Sequence, residues 1–145
     1  MDDRWASVGS DNFNRRSWTH DSELSAVVVD ESRSDYNAWA RRLRLTLAAE
    51  HLDREIAPGT DDDGLAELMA DCLTPEGMLA TYRASAERLQ AWHDGGRRGT
   101  RPPGRLREQA PVDLSLLQRL WATPIYELVH DPDGRPAPLR RRHEF

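Results

Sequence analysis

Residues 2–29 read DDRWASVGSDNFNRRSWTHDSELSAVVV, and this stretch decides the fold. Two runs of strand-forming residues, 5–8 and 24–29, enclose a polar segment rich in Gly, Ser, Asn and Asp. β-Branched residues favour a pleated surface, whereas Gly, Asn and Asp favour turns. We therefore predict two short strands joined by a loop that carries many hydrogen-bonding side chains.

The rest of the chain is predicted to be mainly helical, because apolar residues recur every three or four positions. Thr74-Pro75-Glu76 has the cap, the first-turn proline and the early acid that begin a helix, and Gly95 is a stop signal. These patterns predict helices over 35–52, 65–73, 75–92 and 114–121, irregular chain over 12–17 and extended chain over 124–129.

Composition divides the chain into four segments. Segment 1–57 holds the strands, the loop and the first long helix, and 97–111 is a linker by its Arg, Gly and Pro content. Segment 58–96 is helical, and 112–145 forms a C-terminal helix and tail. The predicted strands and helices give an α/β fold class with a helical C-terminal half.

The charged residues narrow the possible functions. All 20 basic residues are Arg, so no site in this sequence can use a lysine. The net charge of −5 disfavours nucleic acid as a partner. The sequence has neither an apolar run of membrane-spanning length nor a signal-peptide pattern, so we expect the chain as given to be cytoplasmic. Cys72 is the one cysteine, and we expect it to be a small buried side chain.

The spacing of Asp2, Gly9, Ser10 and Asn12 resembles the second half of the His-Lys-Asp signature of the phospholipase D superfamily. That signature reads His-x-Lys, four residues, Asp, six residues, then Gly-Ser-x-Asn, and six residues separate Asp2 from Gly9 here. The similarity extends to the runs 15–17 and 21–23, to the following strand and Arg-rich helix, and more weakly to 120–124 and 131–134.

The resemblance implies a phosphodiesterase or phosphatidyltransferase that acts on phospholipids through a phosphohistidine, a role that suits the near-neutral pKa of imidazole. Ser10 and Asn12 would donate neutral hydrogen bonds to the phosphoryl oxygens, and Glu23 would orient the catalytic imidazole. Gly9 would let the backbone approach closely, and Asp2 would brace the strands. The resemblance implies no metal and no other cofactor.

The signature's His and Lys would lie seven and five residues before Asp2, and no His in the chain is followed two positions later by Lys. The resemblance therefore implies a partial phospholipase D-like domain, with a short mixed sheet packed with helices, and we expect this chain to be inactive alone. Three origins are open: a misassigned start, a decayed gene, or a chain that is completed by another half-domain or by a second copy of itself. The resemblance allows membrane association of a full-length parent.

Two other function classes stay open. The chain is a non-catalytic remnant or partner-binding module, or it belongs to a nuclease of the same superfamily, some of which use one motif per chain and dimerise. In the first case Ser10, Asn12 and Glu23 are ordinary turn and surface residues. The Arg runs at 97–101 and 140–142 suit anionic lipid or nucleic-acid phosphates, or are simply solvated.

Overall fold

The computed structural model of the protein describes residues 3–29 and 38–142. A 3-10 turn at Ala70–Cys72 and a π-helical turn at Tyr126–His130 supplement the regular elements. In chain order, those elements are β1 (Trp5–Gly9), α1 (Arg15–Thr19), β2 (Ser25–Val29), α2 (Ala38–His51), α3 (Asp62–Leu68), α4 (Pro75–Asp94), α5 (Leu116–Ile125) and α6 (Ala137–Arg142).

The described residues fall into two compact units. The first comprises the described residues of Met1–Ala6 and Val28–Ala110, and the second comprises those of Ser7–Val27 and Pro111–Phe145. The first unit therefore contains α2, α3 and α4. The second contains the polar loop, α1, α5 and α6.

The two predicted strands pair with each other in a two-stranded antiparallel sheet. This confirms the α/β class, but the expected mixed sheet is wrong for the part of the chain that the structure describes, because two strands make only one pairing. The Ser10 N–H donates to the Leu24 carbonyl at 3.1 Å, just beyond the ends of the strands. The sheet therefore closes the loop at its base.

The core of the first unit is built on one face of α2. Leu45 of α2 is buried opposite Leu65 of α3, and burying a side chain of this size contributes about 1.5–3 kcal/mol. Cys72 is fully buried, which confirms the prediction made from its sequence context. The core cluster consists of Leu45, Ala48, Ala49, Leu52, Leu65, Met69 and Cys72.

Capping residues set the helix boundaries largely as predicted. The Thr74 side chain accepts a hydrogen bond from the Gly77 N–H at 3.1 Å, and α4 continues to Asp94 before Gly95 ends it. The predicted helix over 65–73 begins earlier, since Asp61 caps α3, and it is interrupted after Leu68. Residues 35–37, predicted to begin the first long helix, lie outside the described part of the chain.

The Arg, Gly and Pro segment after α4 is irregular but attached to its unit. The Asp53 carboxylate accepts hydrogen bonds from the Gly104 N–H at 2.9 Å and from Arg105 Nε at 2.7 Å. The Arg105 bond, then the Gly104 bond, lowers the pKa of Asp53. Leu106 packs against the core cluster. A single acidic side chain therefore anchors a segment whose composition indicated a linker.

The expected extended chain over 124–129 is wrong, because the backbone stays helical past Pro124. Proline has no N–H to donate to the carbonyl four residues before it, so it weakens the regular helix at this point. A π-helical turn over Tyr126–His130 follows, and it closes with a 2.8 Å bond from the Asp131 N–H to the Tyr126 carbonyl. Wide turns of this kind occur where the regular pattern is disturbed.

Gly104 supports a stability prediction. Its φ is +108°, and a Cβ there would overlap the Ser85 hydroxyl oxygen. The Ser85 side chain is buried, and its hydroxyl has no hydrogen-bond partner within the described residues. We expect Gly104→Ala to lower the free energy of unfolding by about 3 kcal/mol, through backbone strain and overpacking together, as measured by urea denaturation.

Gly59→Ala is the matched control, because Gly59 has a φ of +82° but open space around it. Strain alone should cost about 1 kcal/mol there. Adding Ser85→Ala to Gly104→Ala should recover the excess loss, since the overlapping oxygen is removed. Equal losses at the two glycines would contradict the packing argument.

Candidate functional site

The Ser10 hydroxyl joins both ends of the polar loop. It donates a hydrogen bond to Glu23 Oε2 at 2.6 Å and accepts one from the Leu24 N–H at 3.1 Å. The structure therefore brings together two of the residues that sequence analysis selected. A hydroxyl with one donor and two acceptor positions can make both bonds at once.

The backbone of Asn12 is held by Ser17, a residue to which sequence analysis gave no role. Its backbone N–H donates to Ser17 Oγ at 3.1 Å, and its own side chain is exposed. The Ser17 side chain also contributes to the lowered pKa of the Glu23 carboxyl. Ser17 is thus bonded to the Asn12 backbone, while Ser10 contacts Glu23 directly.

Residues 12–17 were expected to be irregular, and this is wrong because they contain the start of α1. The Asn14 side chain accepts a hydrogen bond from the Ser17 N–H at 2.9 Å and caps the helix. Asn is among the preferred residues at this position. The pattern Asn14-x-x-Ser17 was therefore the signal that could have placed Ser17 in the site.

The Glu23 carboxylate is held in its ionised form. The hydrogen bond from Ser10 lowers its pKa most, followed by the bond from Ser17, and the nearby charge of Asp11 opposes them. Hydrogen bonds to a carboxylate favour the charged form. Glu23 can therefore accept a further hydrogen bond from a cationic or N–H donor at neutral pH.

Gly9 is explained by the neighbouring strand. The Ser25 hydroxyl donates to Asp11 Oδ2 at 2.6 Å, and a Cβ on Gly9 would overlap the Ser25 hydroxyl and lie 2.9 Å from Asp11 Oδ2. A side chain at this position would separate that pair. The expected role, close backbone approach to a phosphoryl group, remains a prediction.

Asp2, the acid of the signature, lies outside the described residues. Its neighbour Asp3 makes a two-point ion pair with Arg44 of α2, with both N–O distances at 2.7 Å. The same guanidinium donates to the Cys72 carbonyl at 2.7 Å. An acid at the start of β1 therefore ties this strand to the helices of the first unit.

Asp131 connects the C-terminal part of the second unit to α1. Its carboxylate accepts a hydrogen bond from the Arg16 N–H at 2.9 Å, although it is only 6% exposed. Burial raises its pKa, but the N–H bonds of Arg15 and Arg16 and the Arg15 guanidinium outweigh this and leave the pKa below its ordinary value. Sequence analysis connected 131–134 only weakly with the family and gave Asp131 no role.

The two cations beside the loop are already paired. Arg15 Nε lies 3.6 Å from Asp131, and Arg16 Nε lies 3.2 Å from Asp21. A phosphoryl group at the loop would instead meet the carboxylates of Asp11 and Glu23. Because like charges repel strongly at short range, anion binding here requires an additional positive group.

Comparisons with known proteins add no assignment. A scan against protein-family models finds no match, and searches of curated proteins and of solved structures find none either. Within residues 3–29 and 38–142, no cluster of three or more His, Cys, Asp or Glu side chains could hold a metal ion. Across the same ranges, no helix has both the length and the apolar character needed to cross a membrane.

The Ser10–Glu23 contact predicts a change in titration. We expect Ser10→Ala to raise the pKa of Glu23 towards its ordinary value, because the largest cause of its depression is removed. Carboxyl-detected NMR across a pH series measures this pKa. Ser22→Ala, an exposed serine of the same loop, should leave it unchanged. An unaltered Glu23 titration in Ser10→Ala would contradict the assigned hydrogen bond.

The lowered pKa of Asp131 predicts that the stability of the protein depends on pH. Since its pKa is lowered by folding, its contribution is fully present above the unfolded-state pKa and is lost as the pH falls through the folded-state value. We expect Asp131→Asn to lower the melting temperature at neutral pH and to flatten its acid dependence. Asp113→Asn is a control, because that side chain is 98% exposed. If the melting temperature of Asp131→Asn fell with acid as steeply as that of the parent chain, Asp131 would not be the cause of the pH dependence.

Proposed function

We propose that residues 9–24 form the phosphoryl-binding part of a phospholipase D-type phosphodiesterase site. The observation that carries the proposal is the 2.6 Å hydrogen bond from Ser10 to Glu23, beside a loop in which Ser17 accepts a hydrogen bond from the Asn12 backbone N–H at 3.1 Å. The three residues to which the resemblance gives a role at the site, Ser10, Asn12 and Glu23, thus lie in one loop. The spacing of the signature supports the proposal independently of this geometry.

In this reaction an imidazole nitrogen attacks phosphorus, and the bond from phosphorus to the leaving oxygen breaks. A second imidazole protonates that oxygen. Water or an alcohol then takes the phosphoryl group from the first imidazole. Ser10 and Asn12 would donate to the non-bridging oxygens, where negative charge develops. Glu23 would accept the other imidazole N–H and fix the tautomer.

The present contacts leave room for this exchange. Ser10 now donates a hydrogen bond to Glu23. A bound phosphoryl oxygen would accept the hydrogen bond from Ser10 instead, and an imidazole N–H would donate to Glu23 in its place. The Ser10 hydroxyl and the Glu23 carboxylate would each keep a hydrogen-bond partner in both states, which avoids the cost of an unsatisfied polar group. An imidazolium would also supply the positive charge that the loop needs. That group has to come from outside these 145 residues or from a histidine without the His-x-Lys pattern.

A phospholipid-like substrate fits the exposed aromatic residues of the loop. Phe13 and Trp18 are exposed and meet edge to face, with ring centroids 6.2 Å apart. Such a pair offers an apolar surface beside the proposed phosphoryl position. This supports a diester that carries an apolar group, and the net negative charge of the chain weighs against a nucleic acid.

Added imidazole tests the proposal because it supplies the histidine side chain of the signature that this chain lacks. Without imidazole, we expect the purified chain to hydrolyse bis(p-nitrophenyl) phosphate at the background rate. With imidazole, the protein should raise the rate above that of imidazole alone. Asn12→Ala should reduce this increment at least about tenfold, since a lost donor to developing charge commonly costs more than that.

Glu23→Gln should also reduce the imidazole-dependent increment, because the amide no longer stabilises an imidazolium, and Ser22→Ala should preserve it. Metal-independent turnover by the pure chain without imidazole would refute the expected need for an external imidazole. No protein-dependent increment at any imidazole concentration would overturn the phosphoryl-binding role.

A further inference from the structure

A basic cluster of four side chains, His93, Arg97, Arg101 and Arg107, lies at the end of α4. His93 is half-buried, and its Nδ1 accepts a hydrogen bond from Arg97 Nε at 3.2 Å. Desolvation lowers the pKa of His93 most, followed by the positive charges of Arg107, Arg97 and Arg101. Asp94 acts in the opposite direction, but more weakly than each of the three Arg. The charges around this imidazole are therefore positive on balance.

The turn that follows α4 builds part of the basic cluster. The Gly96 N–H donates to the His93 carbonyl at 3.0 Å, and the Arg97 N–H donates to the Trp92 carbonyl at 2.9 Å, as in a Schellman motif. Gly96 has a φ of +76°, which a residue without Cβ adopts easily. Trp92 Nε1 donates to the Gly99 carbonyl at 3.4 Å. Backbone N–H groups thus engage these helix carbonyls, and the guanidinium groups are not used there.

The other two Arg come from the irregular chain that Asp53 holds. Arg101 lies 3.4 Å from the Asp53 carboxylate, but Arg105 lies 2.7 Å from the same carboxylate, so one acid faces two cations. Arg107 is exposed and lines the open groove along α4. Among the described residues, Arg107 and Arg97 form no ion pair with a carboxylate. Positive charge is therefore left without full compensation in the basic cluster.

Acidic side chains also lie near the basic cluster, and they are Glu87, Asp94 and Glu108. Asp94 accepts a hydrogen bond from the Gln90 amide at 2.8 Å. All three acids line the groove that Arg107 also lines, and Arg83 lines it as well, so the groove carries charges of both signs. The excess of positive charge is found at His93, where the cations outweigh Asp94.

We propose that the basic cluster binds a small anion that carries two or more negative charges on phosphate groups. Guanidinium groups match phosphate oxygens with paired N–H donors. Arg97 now donates to an imidazole, so a bound phosphate would give this guanidinium a charged acceptor. The anion would also reduce the repulsion among the cations. The proposal does not depend on the phosphodiesterase assignment, because these residues belong to the first unit.

The surroundings favour a small anion over a polyanion or a lipid surface. A polyanion that extended from His93 along the groove would meet Asp94 and Glu87, which lie about two helical turns apart on α4. The net charge of −5 also repels nucleic acid. The exposed turn 95–101 contains only Gly, Arg and Thr, so it has no apolar side chain to insert among acyl chains.

NMR titration of the His93 imidazole with pyrophosphate at low ionic strength tests the proposal on the full chain. We expect saturable binding and a rise in the pKa of His93, because a nearby anion stabilises the imidazolium. Arg107→Gln should weaken binding at least about tenfold, since a hydrogen bond to a charged group is worth that factor or more. Arg88→Gln is the matched control: it removes one exposed charge from α4 and should bind almost as the parent chain does.

His93→Gln separates the imidazole from the titration of pyrophosphate itself. The affinity of the parent chain should rise more steeply than that of His93→Gln as the pH falls through the pKa of His93. No binding of pyrophosphate by the parent chain, or equal weakening by Arg107→Gln and Arg88→Gln, would overturn the proposal. Vesicles that contain phosphatidic acid form a second arm. Binding to these vesicles without binding of pyrophosphate would identify a lipid as the ligand and would equally overturn the small-anion site.

Discussion

The Ser10 hydroxyl donates to the Glu23 carboxylate while it accepts from the Leu24 N–H, and the form of the polar loop depends on this group. The antiparallel pairing of β1 and β2 brings the two ends of the loop close enough for this contact. Without the hydroxyl, the Glu23 carboxylate would lose its shortest hydrogen bond in the loop. The loop is therefore held by polar contacts at the surface, where each bond contributes modestly and the network has to act together.

The distribution of charge limits what this loop can do by itself. The cations beside it, Arg15 and Arg16, already neutralise Asp131 and Asp21. Glu23 remains ionised and accessible to a further donor. An anion would bind here only together with a positive group from elsewhere, and an imidazolium would meet both requirements. Under the proposed function, a histidine from outside the loop would supply this positive group.

The two units are stabilised differently. In the first, α2 and α3 bury a continuous cluster of apolar side chains, and single acidic residues such as Asp53 attach irregular chain to it. In the second, no residue of α1, α5 or α6 is buried, and polar contacts such as that between Asp131 and the start of α1 take a larger share. A unit with so little apolar burial leaves apolar surface available for a ligand of matching chemistry. The exposed apolar residues of α5 are one such feature.

Sequence by itself determined the two strands and several helix boundaries, because periodicity and capping residues are local properties. The nearness of Ser10 to Glu23 was implied only by the family resemblance. It could not locate the contact between Asp131 and Arg16 or that between Asp53 and Gly104. These bonds join residues 115 and 51 positions apart, and only the folded backbone brings them together. Exposure was likewise decided by tertiary structure: an apolar residue such as Trp121 is compatible with a core or a surface, and neighbouring elements determine whether it is covered.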